Sequence, residues 1–417
     1  MKTRPIRPSV GIIGGGVMGS ALACFLARDH DIAPVVFERD PTYARASSAL
    51  SASSIRQQFS NAVNIRLSQE SLAFYRRIGE ELAVSSDPPL RIGLVERGYL
   101  YLVPESGAGL LRSHHNLQRR MGADVTLLSP PALRERFPWL ATDGIALGSL
   151  GQSGEGWFDG WSVLQAFRRK AIACGTRFVK TGVRRLVTGP AGLRSRQPSL
   201  AALGRGSAVT GVMLDDGTVQ PFDHVVVAAG AWSAPLLAPL GIELPVRARK
   251  RDVFVFDAPA MLDRCPLVID PSGLWFRPEG STRGQASPSQ RFLCGAPPRG
   301  EDLDDQPLES IDHGLFDEVL WPALAARVPA FESLRVTGAW AGYYEINTFD
   351  HNGLVGPWPG LEGLSLACGF SGHGMQQAPA AGRQLAAWIA AEGDSDLPSL
   401  DPGRILRGER LLELNVI

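Results

Sequence analysis

Residues 10–38 constrain this 417-residue chain more than any other stretch. An apolar run, Val10-Gly-Ile-Ile13, passes directly into Gly14-x-Gly16-x-x-Gly19. Apolar residues then recur at helical spacing at Val17, Ala21, Leu22, Phe25 and Leu26, and a second apolar run over 35–37 ends in Glu38. The pattern predicts strand, tight turn, helix, strand, and an acid at the strand's end. Gly14 permits the sharp turn, Gly16 lets backbone approach a pyrophosphate, and Gly19 lets helix and strands pack closely. The helix N-terminus over Gly16, Val17 and Met18 offers unpaired N–H groups and a partial positive charge. Glu38 stands about twenty residues past Gly19, where an acid holds ribose hydroxyls. A dinucleotide site is the expectation, and an ordinary tight turn in an α/β sheet is the alternative.

The rest of the composition narrows the class. Acidic and basic residues balance at 42 each, so no overall field draws the chain to nucleic acid or to anionic lipid. The five cysteines are scattered without a CxxC pair, which argues against zinc or thiol–disulfide chemistry and predicts no metal site. No apolar leader precedes the first strand and no run is long enough to span a bilayer, so the expectation is a cytoplasmic protein without a transmembrane segment.

Further along, a small-residue segment carries Ser47, Ser48, Ser53 and Ser54. It reads either as hydroxyls for phosphate oxygens or as a surface loop before a helix that starts near Asn64. Strand-like sequence follows up to Val103, then helices over 110–120 and 131–137, with Ser129 as N-cap. Asp159 is placed to cap a helix over 161–174. Residues 209–214, the turn Asp215-Asp216-Gly217 and residues 218–220 predict a hairpin. Residues 189–206 and 280–290 read as loops. The wholly apolar Val225-Val-Val-Ala-Ala229 followed by Gly230 looks like a central parallel strand passing under a nucleotide. Strands are expected at 253–256, 274–276, 292–294, 338–345 and 364–369, and a helix over 377–391. Nucleotide-type signals thus recur near residues 10, 225 and 370, with antiparallel-looking sequence between them. One nucleotide domain (1–84, 151–244 and 337–417), interrupted by a mixed-sheet domain (85–150 and 245–336), accounts for this order.

Together the glycine turn with its late glutamate, the Ser-Ser loop, Val225-Val-Val-Ala-Ala-Gly-Ala-Trp232 and Gly369-Phe-Ser-Gly-His-Gly374 resemble the FAD-dependent D-amino acid oxidase superfamily. The resemblance is strongest to the branch with sarcosine oxidases, dimethylglycine dehydrogenases and the FAD-dependent oxidoreductase domain-containing proteins. It implies an α/β fold, α+β overall: a Rossmann-like FAD-binding domain of the glutathione-reductase type with a mixed-sheet substrate domain. It also implies roles for particular residues. Gly14, Gly16, Val17, Met18, Gly19, Glu38, Arg39, Ser47, Ser48, Ser53 and Ser54 would lie along the cofactor, and Val183 would meet the adenine. Ala229, Gly230 and Trp232 would approach from the sheet, while Gly372, His373, Gly374, Met375 and Gln376 would face the flavin.

By the same resemblance Arg56 aligns with an arginine that binds the substrate carboxylate, a grip that two parallel hydrogen bonds would supply. A helix-cap arginine is the other reading. Phe276, Tyr343 and Tyr344, with Trp275, either line the pocket or are plain core. His373 is either a catalytic base or a loop histidine placed by its neighbours. The cysteine and histidine that relatives use to attach FAD are replaced here, Tyr343 standing at the cysteine's position, so the FAD is expected to be non-covalent. Gln376 replaces a lysine that helps bind substrate in relatives, and their oxygen-activating lysine aligns near Leu293 and is absent here, which favours a dehydrogenase unless Lys250 substitutes. The implied reaction is oxidation of the C–N bond of an amino acid or N-alkyl amino acid carrying a carboxylate. Oxygen, a quinone and an electron-transfer protein remain open as acceptors. A 2-hydroxy acid dehydrogenase and a non-catalytic, flavin-bound assembly factor are the rival readings.

Overall fold

A computed structural model describes residues 7–85, 90–190, 207–279, 290–390 and 398–414. The glycine turn sits at the centre of a six-stranded sheet ordered Leu354–Pro357, Leu364–Cys368, His224–Val227, Val10–Ile13, Val35–Glu38, Arg177–Lys180. All neighbours in this sheet are parallel except the first pair. Parallel strands need long crossovers and are covered on their faces. Helices Val17–Asp29, Ala62–Arg76, Gly160–Ala173 and Gly374–Ile389 form one such cover, sharing a core of Leu22, Phe25, Phe74, Phe167 and Leu385. The first helix is buried along nearly its whole length. Asp159 caps Gly160–Ala173 as expected, its carboxylate accepting from the Ser162 N–H. The expected hairpin forms from Ser207–Leu214 and Val219–Pro221.

The second large sheet has eight strands, ordered Arg335–Asn347, Val246–Ala258, Gln290–Gly295, Trp275–Pro278, Leu267–Ile269, Tyr99–Val103, Leu147–Gly151, Val125–Leu128. Only Leu267–Ile269 and Tyr99–Val103 pair in parallel. Its core is aromatic: Phe331 packs on Phe292, Phe256 and Phe276 with ring centroids 4.8, 5.1 and 5.4 Å apart. Two expectations shift here. Residue 337, the expected start of the last nucleotide segment, falls inside Arg335–Asn347, which hydrogen-bonds along Val246–Ala258 and so goes with the large sheet. Residue 151 likewise ends Leu147–Gly151, paired with Tyr99–Val103. The loops expected at 189–206 and 280–290 lie almost wholly outside the described residues.

The C-terminal segment is tied down by buried charge. The Arg404 guanidinium donates to both Asp350 oxygens, at 2.7 and 2.9 Å, and both side chains are buried. Asp350 also accepts from Asn347 and Asn352. A buried ion with all its partners is tolerated, but one left alone is costly. Replacing Arg404 by Met is therefore expected to lower unfolding free energy by about 3–5 kcal/mol, read as a shifted urea midpoint.

Candidate active site

The Gly14 N–H donates to the Phe37 carbonyl at 2.9 Å, and its φ of +101° is open mainly to glycine. A Cβ on Gly14 would stand 2.3 Å from the Ala228 carbonyl oxygen, and one on Gly19 2.0 Å from the Gly14 oxygen. Both glycines are thus required by close backbone approach. Glu38 holds the turn from the next strand. Its Oε2 accepts from Gly15 N–H and its Oε1 from Asp40 N–H, each at 2.9 Å. The Ser48 hydroxyl accepts from Val17 N–H at 2.9 Å, reaching the helix N-terminus over Gly16, where a Cβ would stand 3.2 Å away. The small-residue segment and the glycine turn therefore form one cradle.

From that cradle a cavity of about 330 Å³ runs between the nucleotide sheet and the large sheet. Of the residues expected at the cofactor, Gly14, Gly16, Val17, Met18, Glu38, Arg39, Ser47, Ser48, Val183, Ala229, Gly230, Trp232, Gly372, Gly374 and Met375 line it. Arg39 stacks over the Trp232 ring, 4.1 Å from its centroid, and Trp232 meets Tyr343 edge-on at 6.0 Å. Tyr343 and Tyr344 line the cavity, as does Trp275. Gly372 has a φ of +88° and packs so tightly under Tyr344 that a Cβ would lie 2.5 Å from its ring.

Other expected residues lie outside the lining. Gly19 supports the turn from behind, while Ser53 bonds to Ser51 and Ser54 lies in a short strand against Trp157. Phe276 is fully buried in the Phe331 cluster because it alternates with Trp275 along one strand. Arg56 is 1% exposed. Its guanidinium donates to the Gln58 carbonyl at 3.1 Å, to the Tyr101 hydroxyl, and to His373 Nε2 at 2.9 Å, and it stacks on Phe59. An arginine only donates, so His373 Nε2 must accept and the ring proton must sit on Nδ1. Burial, and then the Arg56 charge, hold the imidazole well below its ordinary pKa. His373 is a neutral ring whose Nε2 lone pair orients Arg56, so that nitrogen is not available as a base. Gln376 Oε1 accepts from Arg56 N–H at 2.9 Å, so it too fixes the Arg56 segment.

The sequence did not single out Glu155, Glu345 or Arg251. Glu155 is fully buried; burial raises its pKa, while the N–H groups of Gln57, Gln58 and Tyr99 pull the other way. Glu345 follows Tyr343 and Tyr344 directly in the chain and lines the cavity. Its Oε2 accepts from Gly369 N–H at 3.0 Å, and burial still pushes the carboxyl up to about 7. Arg251 lines the cavity from Val246–Ala258.

The profile of the DAO family, described as FAD dependent oxidoreductase, matches residues 9–388. The chain is 42% identical to FAD-dependent oxidoreductase domain-containing protein 1 of Xenopus laevis, covering 99% of this chain and 85% of that protein. It is 28% identical to glycine oxidase of Geobacillus kaustophilus (strain HTA426), covering 91% and 92% of the two chains. Among solved structures it superimposes on L-proline dehydrogenase from P. horikoshii with a TM-score of 0.77 at 24% identity, over 98% of this chain and 100% of that one.

The Glu345 carboxyl makes a test of the site's electrostatics. Its pKa rises from 4.5 unfolded to about 7 folded, so its stabilising contribution is full below 4.5 and is lost as pH climbs through about 7. His224, which burial lowers to about 4, acts in the opposite sense over the acid end of that range. Thermal melts of wild type and E345Q across this window separate the two. The wild-type midpoint is expected to fall relative to that of E345Q as pH rises.

Proposed function

Because the chain belongs to the DAO family of FAD-dependent oxidoreductases, we propose that it oxidises the C–N bond of an amino acid or N-alkyl amino acid to an imine. The observation that carries this reading is the cavity itself. It is continuous from the glycine turn and Glu38 to a wall of Trp275, Tyr343 and Tyr344 on the large sheet. The residues present fit FAD: the Gly14 turn admits no Cβ, Glu38 and Ser48 frame the helix N-terminus, and Gly372–Gly374 closes the far side. No cysteine or histidine is among the described residues lining the cavity, which supports non-covalent binding.

When bound, FAD supplies the acceptor for the hydride that leaves the carbon beside nitrogen. The chain's own contribution is placement and field. Helix Gly374–Ile389 begins at the cavity wall, and its N-terminal N–H groups stabilise negative charge developing there. Aromatic walls disfavour an ammonium and favour the neutral amine, whose nitrogen lone pair assists departure of the hydride. With His373 Nε2 committed to Arg56, the reading requires the amine to enter neutral rather than to be deprotonated there.

A dehydrogenase fits better than a fast oxidase. No lysine is among the described residues lining the cavity, Lys250 Nζ donates to the Ser310 carbonyl, and Leu293 is buried in a strand. Anaerobic titration of the FAD-loaded protein with amino acids, N-methyl amino acids and 2-hydroxy acids tests the reading. Bleaching of the visible flavin band by at least one amino acid, followed by slow return in air and faster return with a quinone, is the expected outcome. Bleaching by hydroxy acids alone would move the reaction to C–O bonds, and no bleaching by any donor would remove the catalytic reading.

A further inference from the structure

We propose that Glu345 takes up a proton when FAD in this cavity is reduced: the cofactor gains two electrons and one proton, and a second proton passes from solvent to the Glu345 carboxylate. The inference needs FAD in the cavity and does not depend on which donor the flavin oxidises. Glu345 is half-buried and lines the cavity. It stands where the loops after His224–Val227 and Leu364–Cys368 meet. Its Oε2 accepts from the Gly369 N–H at 3.0 Å and lies 3.7 Å from where a Cβ on Gly230 would stand. Its Oε1 is 3.6 Å from the corresponding position on Gly374.

That position sets the carboxylate against charge on the cofactor. Helix Gly374–Ile389 begins beside Oε1, and Gly230 and Gly374 line the same cavity. A helix N-terminus favours a negative charge near it. While the flavin is oxidised and uncharged, that charge belongs to Glu345. Two electrons with one proton leave the flavin negative, and two like charges in one water-poor site disfavour each other's ionised form. Glu345 is the partner able to yield. Burial already pushes its carboxyl up to about 7, while the Gly369 and Phe370 N–H groups pull the other way.

The ionisable groups of the surrounding elements leave that proton to Glu345. On Leu364–Cys368, burial and then the Glu345 charge keep the Cys368 thiol protonated, and Arg404 behind it is paired with Asp350. His373, just before the helix, has its Nε2 bonded to Arg56. Across the ladder Glu345 faces Ala248, and the charged neighbours on that strand are paired: Arg247 and Arg249 with Asp304, Lys250 with Asp252, Arg251 with Asp302. On its own strand Tyr343 donates to the Gln306 carbonyl, and burial raises the Tyr344 pKa. The loop at residues 229–232 carries no ionisable side chain, and Arg39 lies over its Trp232.

The experiment uses the FAD-loaded protein and reads the flavin potential without any substrate. Wild type and E345Q are reduced with dithionite beside dyes of known potential, from about pH 6 to about pH 9. Below about 7 both carry an uncharged side chain at this position, and the difference between their potentials is expected to be flat. Above it, the wild-type carboxylate is ionised beside oxidised flavin and must be protonated on reduction. The wild-type reduction equilibrium is then expected to fall behind that of E345Q by about tenfold per pH unit, about 30 mV for a two-electron couple. Protons taken up by the flavin itself are common to both proteins and cancel in the difference. A difference that stays flat across the whole range would overturn the assignment, and a carboxylate that merely holds the Gly369 loop would give that result. Should E345Q not hold FAD, wild type alone carries the test. Reduction at about pH 8 is expected to add the carbonyl band of a newly protonated carboxyl to its infrared difference spectrum, and lack of that band would overturn the assignment.

Discussion

The whole architecture depends on one close crossing, where the backbone turn at Gly14 lies against the Ala228 carbonyl and the start of the first helix lies against the turn. Three distant segments meet there: residues 10–19, residues 35–38 through the Phe37 carbonyl and Glu38, and residues 224–229 through Ala228. A single methyl group at position 14 or 19 would collide with main chain that no rotamer change can move. Backbone that close leaves no space for a side chain between strand and helix, and that space is what a pyrophosphate fills. The position of the floor then sets where the opposite wall must stand. The large sheet supplies it through Val246–Ala258 and Arg335–Asn347, which run antiparallel over their full lengths and present Arg251, Tyr343, Tyr344 and Glu345 as one surface.

Beneath that wall the structure concentrates charge where water is absent. Arg56, Glu155 and Glu413 are each about 1% exposed or less. Burial works against two of these ions, lowering the Arg56 pKa and raising that of Glu155. They persist because each is bonded to backbone. Glu155 gathers the N–H groups of Gln57, Gln58 and Tyr99, and Glu413 gathers Ser60, Asn61 and Asn64. The carboxylates also lie near enough to Arg56 to favour its charge. This polar layer holds residues 56–64 against the C-terminal segment in one arrangement, something an apolar layer of the same volume would specify less sharply.

Much of this was legible in the chain because it is local. The glycine turn, the Asp159 cap and the hairpin at 207–221 each follow from spacing within a few residues, and each forms. Strand existence was legible in the large sheet, but strand length was not: Val246–Ala258 carries six charged residues among its thirteen, which hides its period. Those charges are tolerated because Asp302 and Asp304 pair with them from a neighbouring loop, a contact no local pattern announces. Phe276 and Trp275 illustrate the same limit. Alternation says that they face opposite ways, and only the assembled sheet says which of them meets the cavity.

Arg56 shows why motif and role can part. Its neighbours Ile55, Gln57 and Gln58 are all buried, so the segment is held as a unit by Gln376 and Glu155. The guanidinium then faces His373 and Phe59 because the helix Gly374–Ile389 begins exactly one residue later and brings the imidazole alongside. In this arrangement Arg56 links residues 56–59, 99–101 and 373–376, which is support for the cavity rather than part of its surface. Bonded to the Gln58 carbonyl, the Tyr101 hydroxyl and His373, the guanidinium is held outside the cavity lining, and breaking those buried bonds to reach a ligand would be costly. Where the Arg56 guanidinium sits is thus decided by packing around His373 and Phe59, not by the residue type at position 56.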